Sequence, residues 1–249
     1  MTSAARAAPG AARVLLLAML VPVARAGPPY VSDDPQPTDY RHYEIYAFTH
    51  GLRTEQGTSG ASGVDFNYGG APDVQLTMVV PRAYERPRDA PEPTGLGNVE
   101  LAVKYRFVHQ SESGWDIAIF PRLFLPSASG SVGARHASVL LPVWLERDWG
   151  GWSSFGGGGC ALNHGGDSRN YCLVSWALAY QLRPELQLGA ELVYQTPDTY
   201  GMPSALSAGA GARYDFNQTY HLLAYAGRGL RDPADTDRYS WYVSILFTF

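Results

Sequence analysis

Six histidines, two cysteines and many carboxylates offer chemistry, and their spacing withholds most of it. His42, His50, His109, His136, His164 and His221 are scattered along the chain. Zinc hydrolases place two histidines one helical turn apart around a glutamate, and no pair here has that spacing. His164 and Asp167 share a loop, which is a weak metal pairing on its own. No GxSxG elbow presents a nucleophilic serine. The run Gly156–Gly159 lacks the Lys and Ser/Thr of a phosphate-binding loop, and reads as a strand that bends or admits close neighbours. The sequence therefore implies no catalytic residue, no metal and no cofactor, and the chain is not expected to be an enzyme. Cys160 and Cys172 flank one loop. An oxidising compartment favours a disulfide between them; two thiols with diverging directions are the alternative.

The charges carry a different chemistry. Glu100, Lys104 and Arg106 alternate with apolar residues, as do Asp116 and Arg122. Glu146, Glu191, Arg213, Asp215 and Arg228 sit in similar patterns, and Lys104 is the sole lysine. Residues two apart share one face of a strand. A charged face of this kind lines a lumen and selects solutes, or it serves only as structural glue.

Strands must hold these side chains. Val99, Leu101, Val103, Tyr105 and Phe107 alternate with Glu100, Ala102, Lys104 and Arg106. The same period of two recurs from Trp115 to Leu125, Leu186 to Gln195, Leu206 to Asp215 and Trp241 to Phe249. No helical period of useful length appears. Twelve strands are predicted, near 42–50, 60–68, 73–82, 97–108, 115–125, 137–148, 152–161, 171–181, 185–195, 204–216, 219–229 and 239–249. Their length of about 8–12 residues suits a tilted strand crossing a bilayer. Long loops, such as Pro126–His136 and Thr196–Pro203, alternate with short turns, such as Gly150-Gly151 and Asn217-Gln218. Outer-membrane barrels alternate in this way, with the short turns periplasmic.

Composition agrees. The 249 residues are 45% apolar and only 17% charged, with 16 tyrosines, which excludes a disordered chain. With 19 basic against 23 acidic residues there is no excess to neutralise phosphates, so nucleic acid is not an expected partner. At the N-terminus, Arg6 and Arg13 precede the apolar run Val14–Val23 and the small residues of Ala24-Arg25-Ala26. That is the pattern of a signal peptide over 1–26, cleaved after Ala26; the run is too short for a membrane helix. Residues 27–41 form a Pro-rich extended segment, either a periplasmic tail or a plug in the lumen. Residues 42–249 form the barrel.

Aromatic residues cluster beside the short turns: Tyr68, Phe107, Trp115, Trp149, Trp152, Tyr180, Tyr214, Phe216 and Phe249. Rings at that rim suit the headgroup level of a bilayer. The chain finishes on Phe249 with alternation kept to the last residue. This resembles the C-terminal signal read by the barrel-assembly machinery. Inside, Arg106 is expected to face Asp116, and Glu100 to face Arg122, in one register. A two-residue turn at Asn217-Gln218 is expected to put Arg228 inward, and Leu223 and Tyr225 outward.

Several segments then resemble one bacterial family. Gly27-Pro-Pro-Tyr-Val-Ser-Asp-Asp-Pro-Gln-Pro is similar to its PP-hydrophobic-x-[ST]DDP-x-P opening. Asn67-Tyr-Gly-Gly-Ala-Pro-Asp-Val-Gln-Leu and Gly95-Leu-Gly-Asn-Val-Glu-Leu-Ala-Val-Lys-Tyr-Arg-Phe are similar to further segments. The family is labelled "putative MetA-pathway of phenol degradation". The resemblance implies an outer-membrane barrel often described as a transporter of aromatic or hydrophobic compounds, and it carries no catalytic residues. Asn98 replaces the usual Asp, a change expected to matter little for the fold.

The expected function is a passive channel or transporter for small, aromatic or hydrophobic solutes, embedded in outer-membrane lipid. The alternative is a closed barrel with a lipid-modifying or structural role. A soluble β-sandwich is a third class.

Overall fold

Alternation of apolar and polar residues produces the sheet. A computed structural model describes residues 29–88, 92–129, 132–163, 168–233 and 236–249. The expected leader, His164 and Asp167 lie outside the described residues. No described helix is long and apolar enough to cross a membrane.

Fourteen strand segments are described: β1 (Tyr43–Arg53), β2 (Gly57–Ala71), β3 (Val74–Pro87), β4 (Thr94–Leu96), β5 (Glu100–Val108), β6 (Asp116–Ile119), β7 (Arg122–Phe124), β8 (Ser138–Trp149), β9 (Trp152–Leu162), β10 (Tyr171–Arg183), β11 (Leu186–Gln195), β12 (Ala205–Asp215), β13 (Tyr220–Arg231) and β14 (Tyr239–Thr248). One helical turn, α1 (Gln110–Ser113), fills the turn between β5 and β6. β4 and β5 both pair with β3, and β6 and β7 both lie between β5 and β8. Each couple is one interrupted strand, so the described segments form twelve staves. All pairings between them are antiparallel, and β1 closes on β14 with Glu44 opposite Thr248 and Arg53 opposite Tyr239. Closure leaves no open edge, as a sheet in lipid requires.

The two interruptions have local causes. Pro121 has no N–H to donate, so the ladder fails between Ile119 and Arg122. At the other break, Asn98 turns its side chain to the long loop after β7. Its Nδ2 donates to the carbonyls of Leu125 (2.7 Å) and Ala134 (2.9 Å), and its Oδ1 accepts the Ala134 N–H (2.7 Å). An aspartate could accept but not donate, so Asn98 matters more than its sequence context implies.

The first hairpin also differs from expectation. β1 and β2 meet across residues 54–56, and β2 and β3 run 15 and 14 residues. They extend well past the predicted ends.

Apolar side chains face outward, among them Leu76, Leu101, Val143, Leu178, Leu192 and Ile245. Tyr43 stacks on Tyr68 (4.8 Å) and packs on Phe249 (5.7 Å) at the short-turn rim. Trp152 meets Tyr180 there (4.7 Å) and Tyr214 meets Phe216 (5.1 Å). An apolar wall ending in an aromatic girdle is the surface a bilayer accepts.

The interior is less polar than the sequence reading expects. Phe120, Leu140, Trp144 and Leu173 form one buried cluster inside, and Tyr46, Leu223 and Leu246 another. These side chains fill part of the bore, so apolar residues facing inward there also gain burial. Gly157 faces in beside them. A Cβ there would lie 2.0 Å from the Val143 carbonyl oxygen, so β8 and β9 approach closely only because this side chain is absent.

Candidate functional site

The bore holds residues 29–41. This segment enters at the short-turn end, where Tyr40 bridges Gly69 and the Arg41 N–H donates to the Gly69 carbonyl (2.8 Å). It is a plug rather than a periplasmic tail. Its prolines hold it extended, so its backbone groups need partners from the wall.

The wall supplies them one by one. Gln75 on β3 accepts from the Thr38 N–H (2.8 Å) and hydroxyl (3.1 Å). Gln36 donates to Asp116 (2.9 Å) and Glu146 (3.3 Å), and accepts from Arg106. Lys104, only 3% exposed, donates to Asp33 Oδ1 (3.0 Å) and to the carbonyls of Asp34 (2.9 Å) and Gln36 (3.3 Å). Its ammonium also lies 4.9 Å from the Phe120 ring centre. Higher up, Glu191 on β11 accepts the N–H groups of Val31 and Ser32 and the Ser32 hydroxyl, each at 3.0 Å. Tyr30 then donates to the Gly211 carbonyl (3.2 Å) and packs on Phe155. Charge-assisted bonds of this kind hold more strongly than neutral ones.

The expected lumen residues fall into three groups. Lys104, Arg106, Asp116, Glu146 and Glu191 face inward and bind the plug. Glu100 and Arg122 face inward and pair with each other through two bonds, at 2.6 and 2.9 Å. Arg213 and Asp215 pair at 2.7 Å, and Asp215 also meets His221 (2.7 Å). Arg228 is the exception. The turn after β12 sets Asp215 opposite His221, so His221, Leu223 and Tyr225 face inward and Arg228 is exposed on the outer wall.

The register between β5 and the next stave is also corrected. Ala102 lies opposite Arg122 and Arg106 opposite Ala118, two residues away from the expected match. Both ion pairs still form, diagonally, because long side chains span that offset. Arg106 reaches Asp116 at 3.5 Å but binds Asp73 more closely, at 2.7 Å. Asp73 sits in the turn between β2 and β3. Burial pushes its carboxyl up, but hydrogen bonds from Arg106 and His109 more than offset this and hold it below the usual range.

Sequence reasoning overlooked Glu44, Asp65, Asn67 and Gln75, although they occupy alternate positions of β1–β3. The contacts of Asp33, Asp34 and Ser32 had no local signal.

Two cavities flank the plug. The lower, of about 170 Å³, is polar and lined by Lys104, Arg122, Glu100, Glu44 and Asp65 among others. The upper, of about 430 Å³, opens among the long loops, with Leu52, Val193, Pro197, Met202 and Pro203 in its wall beside Asp198 and Asp237. Val31 lines both and is 49% exposed, so it forms the partition.

Cys160 and Cys172 form a disulfide directly across β9 and β10. Among the described residues one hydroxyl–histidine–carboxylate relay is found: Thr248 Oγ1 lies 3.1 Å from His221 Nε2, and His221 Nδ1 lies 2.7 Å from Asp215. Thr248 and His221 are buried, and neither cavity touches them. The relay stitches β12, β13 and β14 rather than facing a substrate. No described group of His, Cys, Asp and Glu could hold a metal ion.

Comparison with known proteins matches this architecture. The family model described as "Putative MetA-pathway of phenol degradation" matches residues 42–239. No curated protein matches the sequence. Among solved structures, an outer membrane channel from Pseudomonas putida F1 aligns with TM-score 0.70 and 13% identity, over 86% of this chain and 99% of that one. The KdgM porin aligns with TM-score 0.59 and 13% identity, over 83% and 99%. The NanC porin aligns with TM-score 0.57 and 8% identity, over 82% and 98%. These likenesses are of fold: a closed outer-membrane β-barrel.

Proposed function

We propose, from the premise that this chain belongs to the family described as "Putative MetA-pathway of phenol degradation", that it is a narrow outer-membrane channel whose own N-terminal segment closes the bore. The observation that carries this reading is the plug itself. Among the described residues it is held by side chains on the wall and by one bridge to the sheet, so it can leave without breaking the barrel. The solute class is read from the upper cavity. Its apolar wall and size suit a small apolar or aromatic molecule resting above Val31. Outer-membrane lipid surrounds the wall. The last strand, with outward apolar residues at every second position up to Phe249, is the segment we assign to recognition by the barrel-assembly machinery.

Planar-bilayer conductance tests the channel. The protein should show small or rare openings, and a variant lacking residues 29–38 should show large stable steps that phenol reduces. A correctly folded plugless barrel that conducts nothing would overturn the reading.

A further inference from the structure

The outer wall carries charged side chains of one sign. Strand registers assign each side chain to a face, and where the register is regular the charged residues on the outward parity are arginines: Arg53 on β1, Arg82 and Arg86 on β3, Arg147 on β8 and Arg228 on β13. Every strand carboxylate, from Glu44 to Asp215, lies on the inward parity. Four of these, Arg53, Arg82, Arg86 and Arg228, sit toward the long-loop ends of β13, β1 and β3, three of the five consecutive staves that span the β1–β14 seam. Arg86 is paired with Glu92 at 3.5 Å. Arg53, Arg82 and Arg228 are exposed and have no carboxylate partner among the described residues.

The wall between them is not apolar. The outward residues of upper β1 and β2 are Thr49, Gly51, Thr58, Gly60 and Ser62, and the Ser62 hydroxyl donates to Thr49 (2.9 Å). The Trp241 ring lies across Gly51, where a Cβ would meet it at 2.1 Å. Leu230 on β13 and Tyr239 on β14 carry exposed apolar surface beside this stretch, and on the opposite flank Leu141, Leu162 and Val174 keep the wall apolar on each of their staves. The apolar belt is therefore interrupted on upper β1 and β2, between the arginines. A shallow polar floor lies there, with an indole beside it and arginines around it.

We propose that this flank binds the phosphate-bearing headgroup of an outer-leaflet lipid. Guanidinium forks match phosphate oxygens, and basic side chains at a membrane surface attract anionic headgroups. Neighbouring strands lie about 5 Å apart, so Arg228, Arg53 and the β3 arginines stand roughly 10 Å apart in succession. That spacing favours a headgroup with two phosphates over a single small anion. The inference rests on the outer-membrane reading but not on conductance.

Native mass spectrometry of the full barrel in neutral detergent tests it, with lipid A as the bisphosphorylated probe. The protein should retain lipid A through detergent exchange and release it at high salt. The triple variant Arg53→Gln, Arg82→Gln, Arg228→Gln should retain at least tenfold less, while Arg147→Gln at the opposite rim retains as much as the parent. Heat-modifiable gel mobility confirms that each variant is folded. Equal retention by the triple variant overturns the proposal. So does displacement of lipid A by millimolar inorganic phosphate, which would mark a site for free anions.

Discussion

Lys104 is the only lysine, and the plug covers its amine. Acylating reagents should therefore modify the folded protein at Lys104 very slowly, and at least tenfold faster once residues 29–38 are removed; mass spectrometry of peptides reads both. Replacing Lys104 with Met leaves Asp33 and Asp34 without their cation. Breaking a buried ion pair in this way costs about 3–5 kcal/mol. Because tenfold in a population is about 1.4 kcal/mol, the plug should be displaced by two or more orders of magnitude, with the barrel intact. Asp73 adds a dependence on pH. Its folded carboxyl lies below the usual range, so its pairing stabilises the protein above the unfolded value of about 3.9 and is lost as pH falls through the folded value. Unfolding midpoints of the parent and Asp73→Asn should differ at pH 6, begin to approach each other only below the unfolded value of about 3.9, and converge once the pH has fallen through the lower folded value. Asn98→Asp loses two donated hydrogen bonds and should destabilise the loop after β7 by about 1–3 kcal/mol.

At the scale of elements, what was legible follows from where water and lipid act. Outward alternation in β5, β8, β11, β12 and β14 is imposed by lipid at every second residue, and it reads directly from the sequence. Inward residues answer to one another instead. Ser32 meets Glu191 across 159 positions, and no local pattern encodes that meeting. The misplacement of Arg228 has a narrower cause. One miscounted turn residue inverts a whole strand, and the turn after Asp215 is longer than the two residues read from Asn217-Gln218. The two-residue register offset keeps parity, which is why the Glu100–Arg122 and Arg106–Asp116 pairs survive it. The glycine run of β9 is an element with little slack: Gly157→Val would drive a branched side chain into the Val143 carbonyl. It should abolish the heat-modifiable band. Cys160→Ser with Cys172→Ser should keep that band, since the strands are already in register there.

At the scale of the molecule, the barrel and its plug are separable in kind. The sheet closes through β1 and β14 alone, while the plug adds side-chain contacts and one bridge. The fold was legible because a closed sheet in lipid has few solutions. The state of the bore was not, because a Pro-rich segment can lie inside or outside with the same composition.

The seam between β1 and β14 joins the first and the last described strands, and the plug directly precedes β1. Strands about 190 residues apart in sequence must therefore meet before the wall is whole. The segment that ends inside must either be caught while the ring is still open or be threaded through the short-turn mouth once it has shut. The two histories leave different traces. In the first, protection of Lys104 arises together with closure; in the second it lags behind, as an event with its own clock.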